Sequence, residues 1–304
     1  MAQLKLDHLR RSIHRGLCVL AALAVALPVV ALAQGASSRI FLWQVSSPTA
    51  TVYLLGSVHI ASPSMYPLDA RIETAFSRAG TVVLEIPIDP ASQLEAAQKM
   101  GQAGVYPPGD SLDRHLSRET LDALNAYLAQ AGISIDQMRP FRPWFVSMLV
   151  SLSAMQQLGY SPRLGIEQHF VGRIQPAQRL GALERVDEQV ALFSGISETI
   201  QEQMLKEALG NIPEMQEHME RAVQIWQTGD LAAADDLWLK PLRTDFPDLY
   251  RELFVQRNQR MAATIERYLR SSGTHLVIVG SGHLVGPDGI VTLLSAKGFS
   301  PAQQ

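Results

Sequence analysis

The sequence predicts an α/β fold, with a central mixed β-sheet built from two related halves, flanked by helices and carrying a largely helical middle insertion. Three observations carry that prediction. Two apolar runs, TVYLLG from Thr51 and HLVIVG from His275, each end in glycine and continue into a G-x-x-H motif, which sets His59 and His283 just beyond buried strands. Between Thr51 and Ile86 the pattern reads strand, helix, strand. From about Asp89 to Gln175 the periodicity is mostly helical.

The first segment stands apart from that pattern. MAQLKLDHLRRSIHRG is basic, LCVLAALAVALPVV is apolar, and Ala31 to Ala33 supply small residues before Gln34, the three parts of a secretory signal peptide. The apolar run falls short of the ~20 residues of a membrane span. Cleavage near Ala33 is expected to export residues 34–304 as a single domain, periplasmic or secreted. The lone cysteine, Cys18, would leave with the leader, so disulfide and thiol chemistry are excluded from the mature chain. Loss of Lys5, Arg10, Arg11 and Arg15 against the single Asp7 moves the net charge from −3 to −6, which argues against a nucleic-acid partner.

FLWQVS and TVYLLG read as successive strands joined by a turn at Ser47 and Pro48. Ile72, Ala75, Phe76 and Ala79 then recur at helical spacing up to Gly80, and Val82 to Ile86 forms a short strand stopped by Pro87. In the middle, Ser117 suits the N-cap of a helix bearing Leu121, Leu124 and Leu128 and closed by Gly132. FRPWFVSMLVSLSAMQQLGY is strongly apolar but broken by Arg142 and Pro143. It reads as a core helix or one covering the site, with membrane contact possible and not required. Further helical blocks run from about Ser197 to Thr228 and from Pro247 to Ser272.

The last block holds an anomaly. Leu249, Leu253, Met261, Ile265 and Tyr268 form one helical stripe, and Arg257 falls on it four residues from both Leu253 and Met261. Asn258 follows, four residues from Phe254. A guanidinium facing the interior demands a carboxylate or a bound anion. A structural ion pair and a functional one are equally compatible with that demand. Glu85, at the end of an apolar strand, likewise asks for a partner. Glu184 follows the short strand candidate Gly181 to Leu183, and Glu167 opens a helix, where an acidic residue is ordinary for dipole reasons.

Of the six histidines outside the leader, His115, His169 and His218 sit in ordinary helical contexts, and His275 opens a strand. His59 and His283 differ because their contexts match. Two imidazoles with one or two carboxylates suit a divalent metal, and without metal the same groups can act as base and acid. H-E-x-x-H, a P-loop, a dinucleotide fingerprint and G-x-S-x-G are all missing, so Ser57 and Ser281 have little claim as nucleophiles.

WQVSSPTATVYLLGSVHI, LGIEQHF, ALE, the pair Arg257 and Asn258, and VIVGSGHLVGPDGIVTLLSAKGF together resemble the TraB/GumN family, related to the Tiki proteases, over about Arg39 to Phe299. The resemblance implies His59 and His283 as the paired motif histidines, Glu85 as the acidic residue after the first, and Glu184 as the middle acidic position. It also implies Arg257 and Asn258 as a functional polar pair, and leaves Glu167 less defined. Tiki relatives are metal-dependent proteases that use manganese or cobalt. More distant relations are the erythromycin esterases and a haem-binding lipoprotein.

The resulting expectation is an exported metal-dependent hydrolase acting on a peptide or small-molecule substrate. His59, His283 and Glu85 would surround the metal, Glu184 or Glu85 would accept the proton of water, and Arg257 with Asn258 would steady negative charge. Two alternatives stand beside it. One is a non-catalytic periplasmic binding or signalling factor for peptide or haem, and the other a metal-free, esterase-like hydrolase. Oligomeric state is not legible.

Overall fold

In the computed structural model, which describes residues 39–304, the two strands that end in G-x-x-H lie side by side at the centre of the sheet. The predicted leader lies outside the described residues. The described residues form one compact unit.

The strands are β1 (Leu42–Ser46), β2 (Ala50–Ser57), β3 (Thr81–Leu84), β4 (Arg179–Ala182), β5 (Gly273–Gly280) and β6 (Ala302–Gln303), in the order β4-β3-β5-β2-β1-β6. β4, β3, β5 and β2 are mutually parallel, while β1 runs antiparallel to β2 and β6 antiparallel to β1. The hairpin between β1 and β2 turns at Ser47, whose N–H donates to the Ala50 carbonyl at 2.9 Å. Continuous burial of Val52 to Ser57 and of Leu276 to Gly280 explains why these runs read apolar throughout, since helices cover both faces of a parallel sheet. The likeness between the halves is carried by β2 and β5. Their register pairs Ser57 with Gly280, so the second motif starts one residue further along than the first.

The helices are α1 (Ala70–Arg78), α2 (Pro90–Ala103), α3 (Arg118–Gln130), α4 (Pro143–Gln157), α5 (Ile166–Val171), α6 (Val186–Ser194), α7 (Glu198–Gly210) and α8 (Met215–Thr228). They continue with α9 (Leu231–Ala234), α10 (Lys240–Asp245), α11 (Pro247–Tyr250), α12 (Gln256–Leu269) and α13 (Ile290–Ala296). Ser117 caps α3 by accepting from the Thr120 N–H, and Leu124 and Leu128 are buried. The insertion between β3 and β4 comprises α2 to α5 and has a small core of its own. There Leu112, Leu124, Leu128, Val146 and Val150 pack on Leu205 and Ala208 of α7, so that core borrows a helix from beyond β4.

The apolar segment around Trp144 is α4. Trp144 and Val146 are fully buried, while Met148 and Leu149 stay on the surface. Among the described residues no helix is long and apolar enough to cross a membrane. Two five-residue π-helical turns, Asp235–Leu239 and Arg251–Val255, interrupt the helical rods that lead into α10 and α12. Nothing in the apolar periodicity marked them, because an inserted residue resets the helical register locally.

Candidate functional site

Because four adjacent strands run parallel, all four of their carboxyl ends open at one edge of the sheet, and each carries a candidate residue within three positions of its end. Taken across the sheet these are Glu184 after β4, Glu85 after β3, His283 after β5 and His59 after β2. Strands spaced ~4.8 Å apart bring such residues within reach of one another. Helix α12 lies against this edge and adds Arg257 and Asn258, both buried beside Met261, Ala262 and Ile265.

Each imidazole is held at Nδ1. For His283 the partner is the Asn258 Oδ1 at 2.5 Å, and the Asn258 Nδ2 donates to the Asp288 carbonyl at 2.8 Å. A backbone carbonyl only accepts, so the amide must turn its oxygen to His283. Nδ1 therefore carries the proton and Nε2 a bare lone pair. Burial, with Arg257 and His59 nearby, pushes His283 down to about 4 against the opposing pull of Glu85, so the ring is neutral at pH 7.

His59 is held instead by the Glu167 Oε1 at 2.6 Å, and the Ser57 hydroxyl donates to the same oxygen. The side chain is 61% exposed because it forms the wall between two cavities and shows its free edge to both. Partial desolvation disfavours its charge, but Glu167 beside it and Glu85 beyond outweigh that and raise it to about 9. Glu167 itself is lowered, since burial is overcome by His59 and the Ser57 hydroxyl.

Glu167 reaches this position because α5 starts on the chain beside His59. The Ile166 N–H donates to the Val58 carbonyl at 3.1 Å, and a Cβ at Gly165 would stand 2.4 Å from the His59 carbonyl oxygen. Only glycine permits that approach. A helix start explains an acid at this place, but 8% exposure and its bonds to His59 and Ser57 make Glu167 part of the site. Sequence reasoning underrated it because Glu167 and His59 are 108 residues apart.

The remaining acids and Arg257 form a buried cluster. Arg257 donates from Nε to the Glu184 Oε1 at 2.9 Å, from Nη2 to the Glu184 Oε2 at 2.7 Å and to the Glu85 Oε1, and from Nη1 to the Leu253 carbonyl. The anomaly in the stripe is thus answered by two carboxylates. Glu85 also accepts from the Gln189 Nε2 at 2.9 Å and the Gly280 N–H at 3.1 Å. Burial favours the protonated acid, but His283, His59, Arg257 and the Gly280 N–H together pull Glu85 down to about 2. At neutral pH, with His283 uncharged, His59 and Arg257 are the cations that keep Glu85 ionised. Glu184 lines neither cavity that meets at His59. Arg257 bridges Glu184 to Glu85, and Asn258 holds the His283 ring.

The other histidines lie elsewhere. His115 pairs with Asp110 and Glu198, His169 with Glu73, His218 with Glu214, and His275 stands at the far end of β5 beside Ser271. Gln189, which orients Glu85, had no sequence signal. It occupies an ordinary helical position in α6.

Three groups converge on the side-chain-less face of Gly280. A Cβ there would stand 3.2 Å from the His59 Nε2, 3.5 Å from the Glu85 Oε2 and 3.6 Å from the His283 Cδ2. The His283 Nε2 is 3.9 Å from the Glu85 Oε2. Two Nε2 atoms and one carboxylate oxygen are the donor types a divalent metal takes, and anchoring each Nδ1 is the usual support of a metal-binding histidine. Among the described residues no three His, Cys, Asp or Glu side chains already stand in an ion-enclosing arrangement. The fit is therefore one of donor chemistry.

Fold and site together define an α/β protein with paired histidines and a buried acid–arginine cluster at the carboxyl edge of its parallel strands. The chain belongs to the TraB/PrgY/gumN family, whose model matches residues 41–303. It is similar to the uncharacterized protein YbaP of Escherichia coli (strain K12), at 22% identity over 246 residues, covering 80% of this chain and 87% of that protein. YbaP of Shigella flexneri matches to the same extent. No solved structure matches the chain.

Proposed function

We propose that this chain is an exported hydrolase, metal-dependent and acting on peptide bonds, with its reacting centre on the face of Gly280. The observation that carries the reading is the pair of imidazoles whose Nδ1 atoms are anchored while both Nε2 atoms are free, beside an ionised Glu85. His59, His283 and Glu85 are the residues that would hold a divalent ion such as manganese or cobalt. When bound, such an ion would supply Lewis acidity and lower the pKa of water.

The chain's own residues do the rest. Glu167 holds the His59 Nδ1 proton and stabilises positive charge on the ring, so at neutral pH the metal-free ring also carries a proton on Nε2, which it can give to a leaving group and releases when Nε2 binds a metal. Asn258 keeps the His283 Nε2 unprotonated. Arg257, fixed by Glu184, helps to keep Glu85 ionised. Export would follow from the leader, cleaved near Ala33.

Elemental analysis of the wild type beside a His59→Ala, His283→Ala double variant tests the reading, together with peptide-library hydrolysis in manganese and cobalt. Stoichiometric metal and cleavage, both lost in the variant, are expected. Absence of metal after reconstitution, or equal cleavage by both proteins, overturns it. The Glu167-backed imidazole favours a second reading, in which the charged His59 gives its Nε2 proton to the leaving group without metal. Cleavage that survives chelation selects that reading.

A further inference from the structure

His59 stands between two cavities of opposite chemistry. On one side lies a cavity of about 240 Å³ lined by Glu85, Glu167, Gln168 and Gln189, together with apolar residues. On the other lies one of about 400 Å³ whose walls are mostly apolar, among them Val58, Ile60, Met155, Met219, Trp238 and Phe254, with Ser57, His59, Ser281 and His283 as its polar side chains. This second cavity is within the size range of ligand pockets, ~300–1,000 Å³.

Three features separate it from a packing defect. Trp238 and Phe254 belong to the two π-helical turns, so both irregularities in the helical rods point an aromatic side chain into the same space. Such turns are frequent at functional sites. Two methionines from different helices, Met155 of α4 and Met219 of α8, supply the adaptable part of the wall. The cavity is also continuous with the free edge of His59, and Phe254 packs on the His283 ring with centroids 5.0 Å apart. An apolar space left open beside reactive groups is best explained by an apolar group that enters it.

We infer that this cavity is a specificity subsite that takes an uncharged aliphatic group of the substrate, a side chain or acyl chain flanking the bond presented to His59. The polar remainder of the substrate lies toward Gln168 and Gln189. The inference rests on the hydrolase reading only for the word substrate, and binding can be measured without any reaction.

The cavity contains its own reporter. Of the four tryptophans, Trp43, Trp144 and Trp226 are buried and Trp238 lines the cavity. Straight-chain alcohols from butanol to decanol have no hydrolysable bond and no charge, so their titration against tryptophan emission reads occupancy alone. The expected result is an emission shift, abolished by Trp238→Phe, with affinity rising roughly three- to fourfold per methylene until the cavity is full.

Ala222→Phe, on the half-buried cavity face of α8, should flatten the series and weaken octanol at least tenfold. Circular dichroism checks its folding. If Ala222→Phe fails to fold, Met219→Gln replaces it with the same expectation. Affinity independent of chain length in the wild type, or an unchanged slope in the folded variant, overturns the inference. Selective alcohol binding without hydrolysis would leave the subsite standing and remove the hydrolase reading. Hydrolysis without chain-length selectivity would do the reverse.

Discussion

Gly280→Ala separates the site from the fold. Gly280 has φ −49° and ψ 135°, a conformation open to alanine, so the backbone carries no strain from the change. At such a position the substitution contributes ~0.4–1 kcal/mol of stability by restricting the unfolded chain. For a protein of this size that predicts a melting temperature unchanged or raised by up to about 4 °C. The new methyl meets the His59 Nε2 at 3.2 Å, closer than ordinary packing, so the ring must retreat by a few tenths of an ångström, which its exposed position allows. The methyl also fills the space between His59, Glu85 and His283.

Since misplacement of a reacting group by 1 Å costs up to ~10²-fold, a shift of this size and the lost volume should lower kcat/KM about tenfold. Metal content should fall with it. The assay pairs thermal unfolding with peptide hydrolysis and elemental analysis. Gly56→Ala is the contrast, because its methyl would meet the Phe41 ring at 2.9 Å and the Ser281 Cα at 3.2 Å and should destabilise the core. Hydrolysis and metal content within twofold of wild type in a folded Gly280→Ala protein would show that the reacting centre is not on this face.

Arg257→Met takes from the buried Glu85 and Glu184 the cation they share, leaving Glu184 only Arg260 at 3.7 Å, and should cost about 3–5 kcal/mol in urea unfolding; a loss under 1 kcal/mol would mean the cluster is not needed for folding. Glu167→Gln removes the charge behind His59, so the His59 imidazole, titrated by NMR in metal-free protein, should fall from about 9 toward its ordinary 6.5; an unmoved titration refutes the pairing. In metal-free protein Glu85 has its folded pKa at about 2, below an unfolded value of ~4.3, so on acidification the unfolded chain binds the proton first. Its stabilisation, on the order of 3 kcal/mol, is complete above about pH 4.3 and disappears as pH falls through about 2, and Glu85→Gln should flatten that slope. His59, raised above 6.5, contributes in the opposite window: present below pH 6.5 and lost as pH rises through about 9, a decline that His59→Gln should abolish.

Much of this was legible in the chain. A buried parallel strand must be apolar on both faces, and a run so apolar that stops at glycine before a histidine announces both a strand end and a functional turn. That logic picked out His59, Glu85 and His283, and helical periodicity alone exposed Arg257 as a buried charge in need of a carboxylate or a bound anion. Glu184 and Asn258 followed from the same patterns and from the family resemblance. The sequence also showed the helical insertion, although its second core depends on α7, which lies beyond the insertion in the chain.

Only the tertiary structure decided how these residues combine. Strand order is set by nonlocal pairing, so nothing local reveals that β5 stands between β2 and β3, or that Gly280 must lack a side chain to let His59 and Glu85 meet across it. Glu167 looked like an ordinary helix-start acid until α5 docked on the backbone beside His59. The apolar cavity was equally hidden. Its aromatic walls come from π-helical turns that break the very periodicity by which a sequence shows where its side chains point.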